Sequence, residues 1–319
     1  MVTPTRRKER IDQLAASAGK PDDDDGKHDS GVSLAVSAWR RLRRNPVFLI
    51  GATIILLFVV GAILSPWLAP HDPAERMLAD QVVKARNEIP PPQPGHPLGG
   101  DDQGRDLLSR LIVGSQQTLL VGVCATLIGL AGGMLLGTIA GAFSGWADSL
   151  VMRSVDVMLS IPGILLAVSI AALFPRPGLY TVIIAVAVVQ VPVFARLLRG
   201  SMLSQRASDH VLAARALGVT RSATIFRHML PNSLGPVIVQ STLVLALAII
   251  DAAALSFLGL GNPNDNVPEW GQMLGNAQGV IDSHPHLAFW PAGCIIVVAL
   301  GFTLVGESMR DALDPKNRR

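Results

Sequence analysis

Tyrosine occurs once in this chain of 319 residues, cysteine twice, and charged residues make up only 16% of it. An average soluble domain carries about 25% charged residues. So little charge, with 50% hydrophobic residues and a mean hydropathy of +0.42, leaves too little polar surface to wrap a soluble globule of this length. Two cysteines, Cys124 and Cys294, both set in apolar runs, argue against a disulfide framework and against a zinc site, which takes about four clustered ligands; they read as free buried thiols. With Tyr180 alone, an interfacial aromatic belt has to be built from Trp39, Trp67, Trp146, Trp270 and Trp290. Catalytic signatures are missing too. No H-E-x-x-H surrounds any histidine, no G-x-S-x-G any serine, and no G-x-x-x-x-G-K-[ST] occurs. His284 and His286 beside Asp282 read as loop residues rather than metal ligands, because a further ligand and its supports are missing.

What is present is a set of long uncharged stretches, between 19 and 37 residues each. About 20 apolar residues cross a bilayer. Six transmembrane helices are expected, with cores near 47–68, 119–142, 154–174, 179–198, 235–258 and 288–307, so the fold class is an all-α polytopic membrane protein. The first 46 residues are hydrophilic, and no cleavable leader is expected there. Six spans put both termini on one side. That side collects 21 of the 27 Lys and Arg residues, and the other side 6. The positive-inside rule then places both termini and the 196–232 loop in the cytoplasm.

The expected organisation is a disordered cytoplasmic arm at 1–38, carrying Asp22–Asp25, then an anchor and first span at 39–70. An extracytoplasmic segment at 71–114 follows, then a permease domain at 115–307 and a cytoplasmic tail at 308–319. Arg40, Arg41, Arg43 and Arg44 form the topogenic anchor, with lipid headgroups as a secondary contact. Gly133, Gly137, Gly141 and Gly145 recur every four residues and mark a face for close helix packing. Pro162 and Pro192 are expected to kink the third and fourth spans. Arg153 and Asp156 read as a structural pair on one helix. Asp251 lies in the fifth span, where a carboxylate near mid-membrane costs on the order of 3 kcal/mol; it is a candidate pore or gate residue, or else makes a packing hydrogen bond or sits near the outer interface.

The loop at 200–232 is too long for a simple connection. Ser208 or Asp209 can cap a helix, His210–Leu217 is rich in helix formers, and Gly218 stops it. A second short helix is expected from Arg221 to Met229, ended by Pro231. On pattern alone this element is either a docking site for a soluble partner or an amphipathic helix resting on headgroups.

Ala213-Ala214-x-x-x-Gly218 with Leu230-Pro231-Asn232 resembles the coupling loop of binding-protein-dependent ABC importer permeases, with Leu212 where that pattern has Glu. His96-Pro97-Leu98-Gly99, Asp101-Asp102-x-Gly104-Arg105-Asp106 and Ser109-Arg110 resemble the segment before the second span of the C-type permease of dipeptide, oligopeptide and nickel importers. Met152-Arg153-x-x-Asp156 with Ile161-Pro162, Leu255–Gly261 with Pro268-Glu269-Trp270-Gly271, and Leu313-Asp314-Pro315 follow the same order. The resemblance implies a type I importer permease in a bacterial inner membrane, acting by alternating access for peptides or a related solute. It implies a second homologous permease, two ATP-binding domains that carry ATP and Mg, an extracytoplasmic solute-binding protein and surrounding lipid. No cofactor on this chain, no catalysis by it and no nucleic acid are expected. The residues expected to transmit ATPase motion are Asp209, His210, Ala213, Ala214, Arg215, Leu217 and Gly218. Trp270, Gln272 and Asn276 in the outer loop are expected to meet the delivery protein. A stand-alone channel or secondary transporter is the alternative, and it calls for paired intramembrane acids or inverted repeats; a membrane-bound enzyme is disfavoured by the missing motifs.

Overall fold

The computed structural model describes residues 34–83, 88–143 and 145–313. The arm with Asp22–Asp25 and the end of the Leu313-Asp314-Pro315 block lie outside them. The chain divides into two units, residues 1–40 and 41–319. Of the first, the described part is the start of helix α1 (Leu34–Leu42). The second holds the remaining elements, and among the described residues all regular structure is helical apart from isolated β-bridges.

Helix α2 (Pro46–Leu68) starts on Asn45, whose side chain accepts from the main-chain N–H groups of Val47 and Phe48, with Pro46 in the first turn. It is apolar on every face, as a lipid-exposed span must be. Helix α3 (Leu107–Ala142) starts well before the apolar core near 119, because the Asp106 carboxylate caps it through Ser109 N–H. The third span is not a kinked helix. It is two helices, α4 (Trp146–Ser160) and α5 (Gly163–Ala171), meeting at 96° with Pro162 at the break. Pro162 cannot donate, Ile161 before it is held extended, and Gly163 opens the next helix. In contrast, α6 (Leu179–Arg206) carries Pro192 without interruption, buried within the bundle. Counting the bent pair as one, the chain has up to six spans.

Helix α7 (Asp209–Ala216) is followed by a single α-turn (Arg221–Ala223) and a π-helical turn (Thr224–Met229) that runs directly into α8 (Leu230–Phe257). Pro231 therefore does not end a short helix. It sits in the first turn of α8, where a missing N–H costs nothing, and the π turn takes up the change of register, with Leu230 N–H bonding to Ile225 O. Helices α9 (Trp270–Ala277) and α10 (His286–Leu313) complete the chain.

Small residues set the closest contacts. A Cβ on Gly133 would fall on Phe194, one on Gly137 would lie 2.7 Å from Ala195 O, and one on Gly141 2.9 Å from Met202 Cβ. Gly129 continues this face toward Gln190. Gly145 does not belong to it. It precedes α4 with φ of 89° and faces open space. The face seats α6 against α3, and the two apolar clusters that α6 shares are built on that contact. A third cluster, around Trp270, Leu107, Ile249 and Val298, joins α2, α3, α8, α9 and α10.

Candidate functional site

Two regions carry the polar chemistry. The first is the loop between α6 and α8. Val211 of α7 is buried among Phe194, Leu198, Met202, Ile225 and Met229, and Ala214 is buried too. Asp209, His210, Ala213, Arg215, Leu217 and Gly218 are exposed, so of the residues expected to transmit motion only Ala214 turns inward. Leu217 is 85% exposed and Leu212 is half exposed, so two large apolar side chains of this loop stand open. Ser208 precedes the helix, yet its hydroxyl donates to Gln205 O instead of accepting from the helix N–H groups. Gly218, with φ of 80°, reverses the chain: Leu217 N–H bonds to Ala213 O and Val219 N–H to Ala214 O. His210 Nε2 lies 3.3 Å from Asn232 Nδ2, which also donates to His228 O. The helix is thus pinned by an apolar inner face and presents a mixed outer one.

Two ion pairs support the base of this region. Arg199 reaches Asp148 with both Nε and Nη2, and Arg196 Nη2 donates to Asp156 at 2.6 Å. Asp156 therefore binds α6 rather than Arg153 on its own helix.

The second region joins residues 69–106 to the segment after α8. Arg105 and Arg110 are fully buried. Arg105 Nε donates to Asp101 Oδ2 at 2.7 Å, and Arg110 Nε lies 3.2 Å from the same oxygen. Both guanidinium groups also donate to Asp265 O, and Arg110 to Pro73 O. The Asp265 carboxylate accepts from Gln103 and Gln272. Burial, and then the neighbouring Asp101, push the Asp102 carboxyl above its ordinary range. Glu269 is buried with Ser256 Oγ donating to it at 2.8 Å; burial pushes it up to about 7, against the pull of that hydrogen bond. Trp270 and Gln272 are buried within the chain, so neither is the outward contact for a delivery protein expected from the sequence, while Asn276 is half-buried. The side chains that the motif reading passed over are His71 and Asp265, which sit in no recognisable pattern and matter only through the fold.

Within the spans, Asp251 is half-buried on α8, Pro162 is exposed at the α4–α5 break, and Pro192 is buried in α6. Among the described residues no hydrogen bond or ion pair reaches the Asp251 carboxylate.

An all-helical bundle with up to six spans, a bent third one and a surface helix between the fourth and fifth has the type I fold of ABC importer membrane subunits. The model of the family described as "Binding-protein-dependent transport system inner membrane component" matches residues 133–319, and that of the "N-terminal TM domain of oligopeptide transport permease C" matches residues 33–91. The chain belongs to this permease family. It is 42% identical over 286 residues to the dipeptide transport system permease protein DppC of Alkalihalophilus pseudofirmus, covering 88% of this chain and 91% of that one. It is 37% identical to the glutathione transport system permease protein GsiD of Pectobacterium atrosepticum, covering 87% and 90%. A chain of the MetNI methionine ABC transporter in inward-facing conformations is similar in fold, with a TM-score of 0.53, 20% identity, and 65% of this chain and 98% of that one covered. Members of the family are transport permeases rather than catalysts, and they work with ATPase and binding-protein partners.

Proposed function

We propose that this chain forms half of the translocation pore of an ATP-driven importer for di- or oligopeptides or a related solute. A second homologous permease supplies the other half. The observation that carries the coupling is the α7 helix, whose inner face is buried while Leu212 and Leu217 stand in solvent. Two ATP-binding domains, separate or fused, hold ATP and Mg and grip the exposed residues Asp209, His210, Ala213, Arg215, Leu217 and Gly218, with Ala214 anchoring the helix from below. A solute-binding protein delivers the substrate at the opposite face. The chain itself holds no cofactor and no nucleic acid.

The excess of Lys and Arg beside α7 and at both ends supports a cytoplasmic position for the termini and this loop. The dipeptide and glutathione names of the relatives support a small peptide as cargo. Asp251 on α8, the break at Pro162 and the uninterrupted stretch of α6 that carries Pro192 are the proposed pore and gate positions. Movement of the ATPase pair shifts α7, and the π turn that follows passes the shift to α8. The test is ATPase activity of the assembled complex with loaded binding protein. Leu217→Asp and Gly218→Pro are expected to leave the chain inserted and to abolish the stimulation. Full stimulation in both variants overturns the assignment.

A further inference from the structure

We infer that His71, His96 and Asp106 form a binding site for a divalent transition-metal ion, zinc in chemical class, at the junction between the end of α2 and the start of α3. Their ligand atoms come from three separate places in the chain and lie within 4.8 Å of one another. His96 Nδ1 is 2.8 Å from Asp106 Oδ1, and His71 Nδ1 is 3.8 Å from Asp106 Oδ2. Zinc binds nitrogen and oxygen at about 2.0–2.2 Å, which puts tetrahedral ligand atoms about 3.4 Å apart. The two distances, each to a different oxygen of Asp106, lie on either side of that value, and an ion would take the place of the hydrogen bond that now joins His96 to Asp106 Oδ1.

An independent observation points the same way. His71 Nδ1 is buried and has no hydrogen-bond partner. An imidazole nitrogen left so, facing a carboxylate and a second imidazole, lacks the partner that a buried polar atom ordinarily has. The two rings stack at 4.4 Å with 24° between their planes. The supports are also in place. Ser109 donates from both N–H and Oγ to Asp106 Oδ2, and Ser109 Oγ accepts from the His71 main-chain N–H. Such outer partners fix the direction of metal ligands. A pocket of about 430 Å³, lined by Pro66, Ala69, Asp72, Pro73 and Val113, reaches the His71 ring and leaves a way in for the ion and for a water as fourth ligand.

His284 and His286 form no comparable set. Their rings meet edge-on at 5.8 Å, and no third ligand joins them among the described residues. The ion at His71 clamps the segment leaving α2 to the cap of α3, so its role is to brace the outer face. It takes no part in the ATPase coupling.

The test uses the full-length chain in detergent, stripped of metal, with Zn²⁺ alone in equilibrium dialysis and Co²⁺ as the spectroscopic probe. The expected result is one ion per chain in the wild type and a loss of affinity of at least about tenfold in His71→Ala and in His96→Gln. His71→Cys, which exchanges one zinc ligand for another, is expected to keep the ion and to add a thiolate-to-cobalt band. That band is a readout that a merely structural role for His71 does not produce. No ion on the wild type, wild-type affinity in both ligand-removal variants, or a cysteine variant without the thiolate band overturns the site. ATPase coupling is read separately, so its failure and the failure of the metal site are distinguishable.

Discussion

The indole Nε1 of Trp270 donates to the main-chain carbonyl of Leu111, 2.9 Å away and 159 residues earlier in the chain. The Trp270 main-chain N–H donates in turn to Thr118 Oγ1, and Phe58 meets the indole edge-on at 5.6 Å. The short helix α9 is therefore fastened to α3 by a buried aromatic with its polar atom satisfied. Trp270→Phe is expected to cost about 1 kcal/mol through the lost hydrogen bond, since the Leu111 carbonyl keeps its bond within the helix, and Trp270→Ala about 3–5 kcal/mol through the cavity. Thermal and denaturant unfolding in detergent checks both; equal costs for the two variants contradict the hydrogen bond.

Glu269 makes stability depend on pH. Its folded carboxyl titrates at about 7, above the ordinary value of 4.5, so the folded state holds a proton that the unfolded state has released between those values. Stability then falls as pH rises from about 4.5 to about 7 and levels off above, a total of about 3 kcal/mol. Glu269→Gln keeps the volume and has no proton to lose. Its unfolding temperature, followed across that range, is expected to lack this component of the fall seen in the wild type.

The contact between α3 and α6 tolerates no added methyl group. Gly133→Ala drives a Cβ into Phe194 and is expected to cost about 1–3 kcal/mol. Gly200 lies in the interior of α6 with nothing within 4 Å of an added Cβ. Gly200→Ala is expected to gain about 0.5–1 kcal/mol from chain entropy. Opposite signs in an unfolding assay are the expected outcome.

The two ion pairs from α4 to α6 are unequal. Asp148 and Arg199 are mostly shielded and joined by two hydrogen bonds, while Asp156 and Arg196 are more than half exposed. Asp148→Asn is therefore expected to lower the unfolding temperature more than Asp156→Asn, and added salt to erase the smaller effect first.

Local signals carried much of the architecture. Uncharged runs announced the spans, Gly218 announced the turn after α7, and the four-residue glycine spacing announced the α3 face. They failed where a neighbour distant in the chain decides. Asp156 has an arginine three residues away and uses one forty residues away instead. Pro231 looks like a helix end, and a π turn removes the conflict that makes it one. Pro162 promised a kink, but its exposed position between two helices let the chain break outright. His71 stands in no motif, and only the return of the chain to the cap of α3 brings it beside His96 and Asp106.

The glycine face of α3 also imposes an order on biosynthesis. Gly129, Gly133, Gly137 and Gly141 find their partners only on α6, and α4 and α5 leave the ribosome in between. Until α6 is inserted, α3 presents a side-chain-poor groove to lipid, or to any passing helix with a flat side. A nascent chain stalled at that stage is the form of this protein most exposed to wrong pairing, and the bent α4–α5 pair is the length of chain over which the groove must wait.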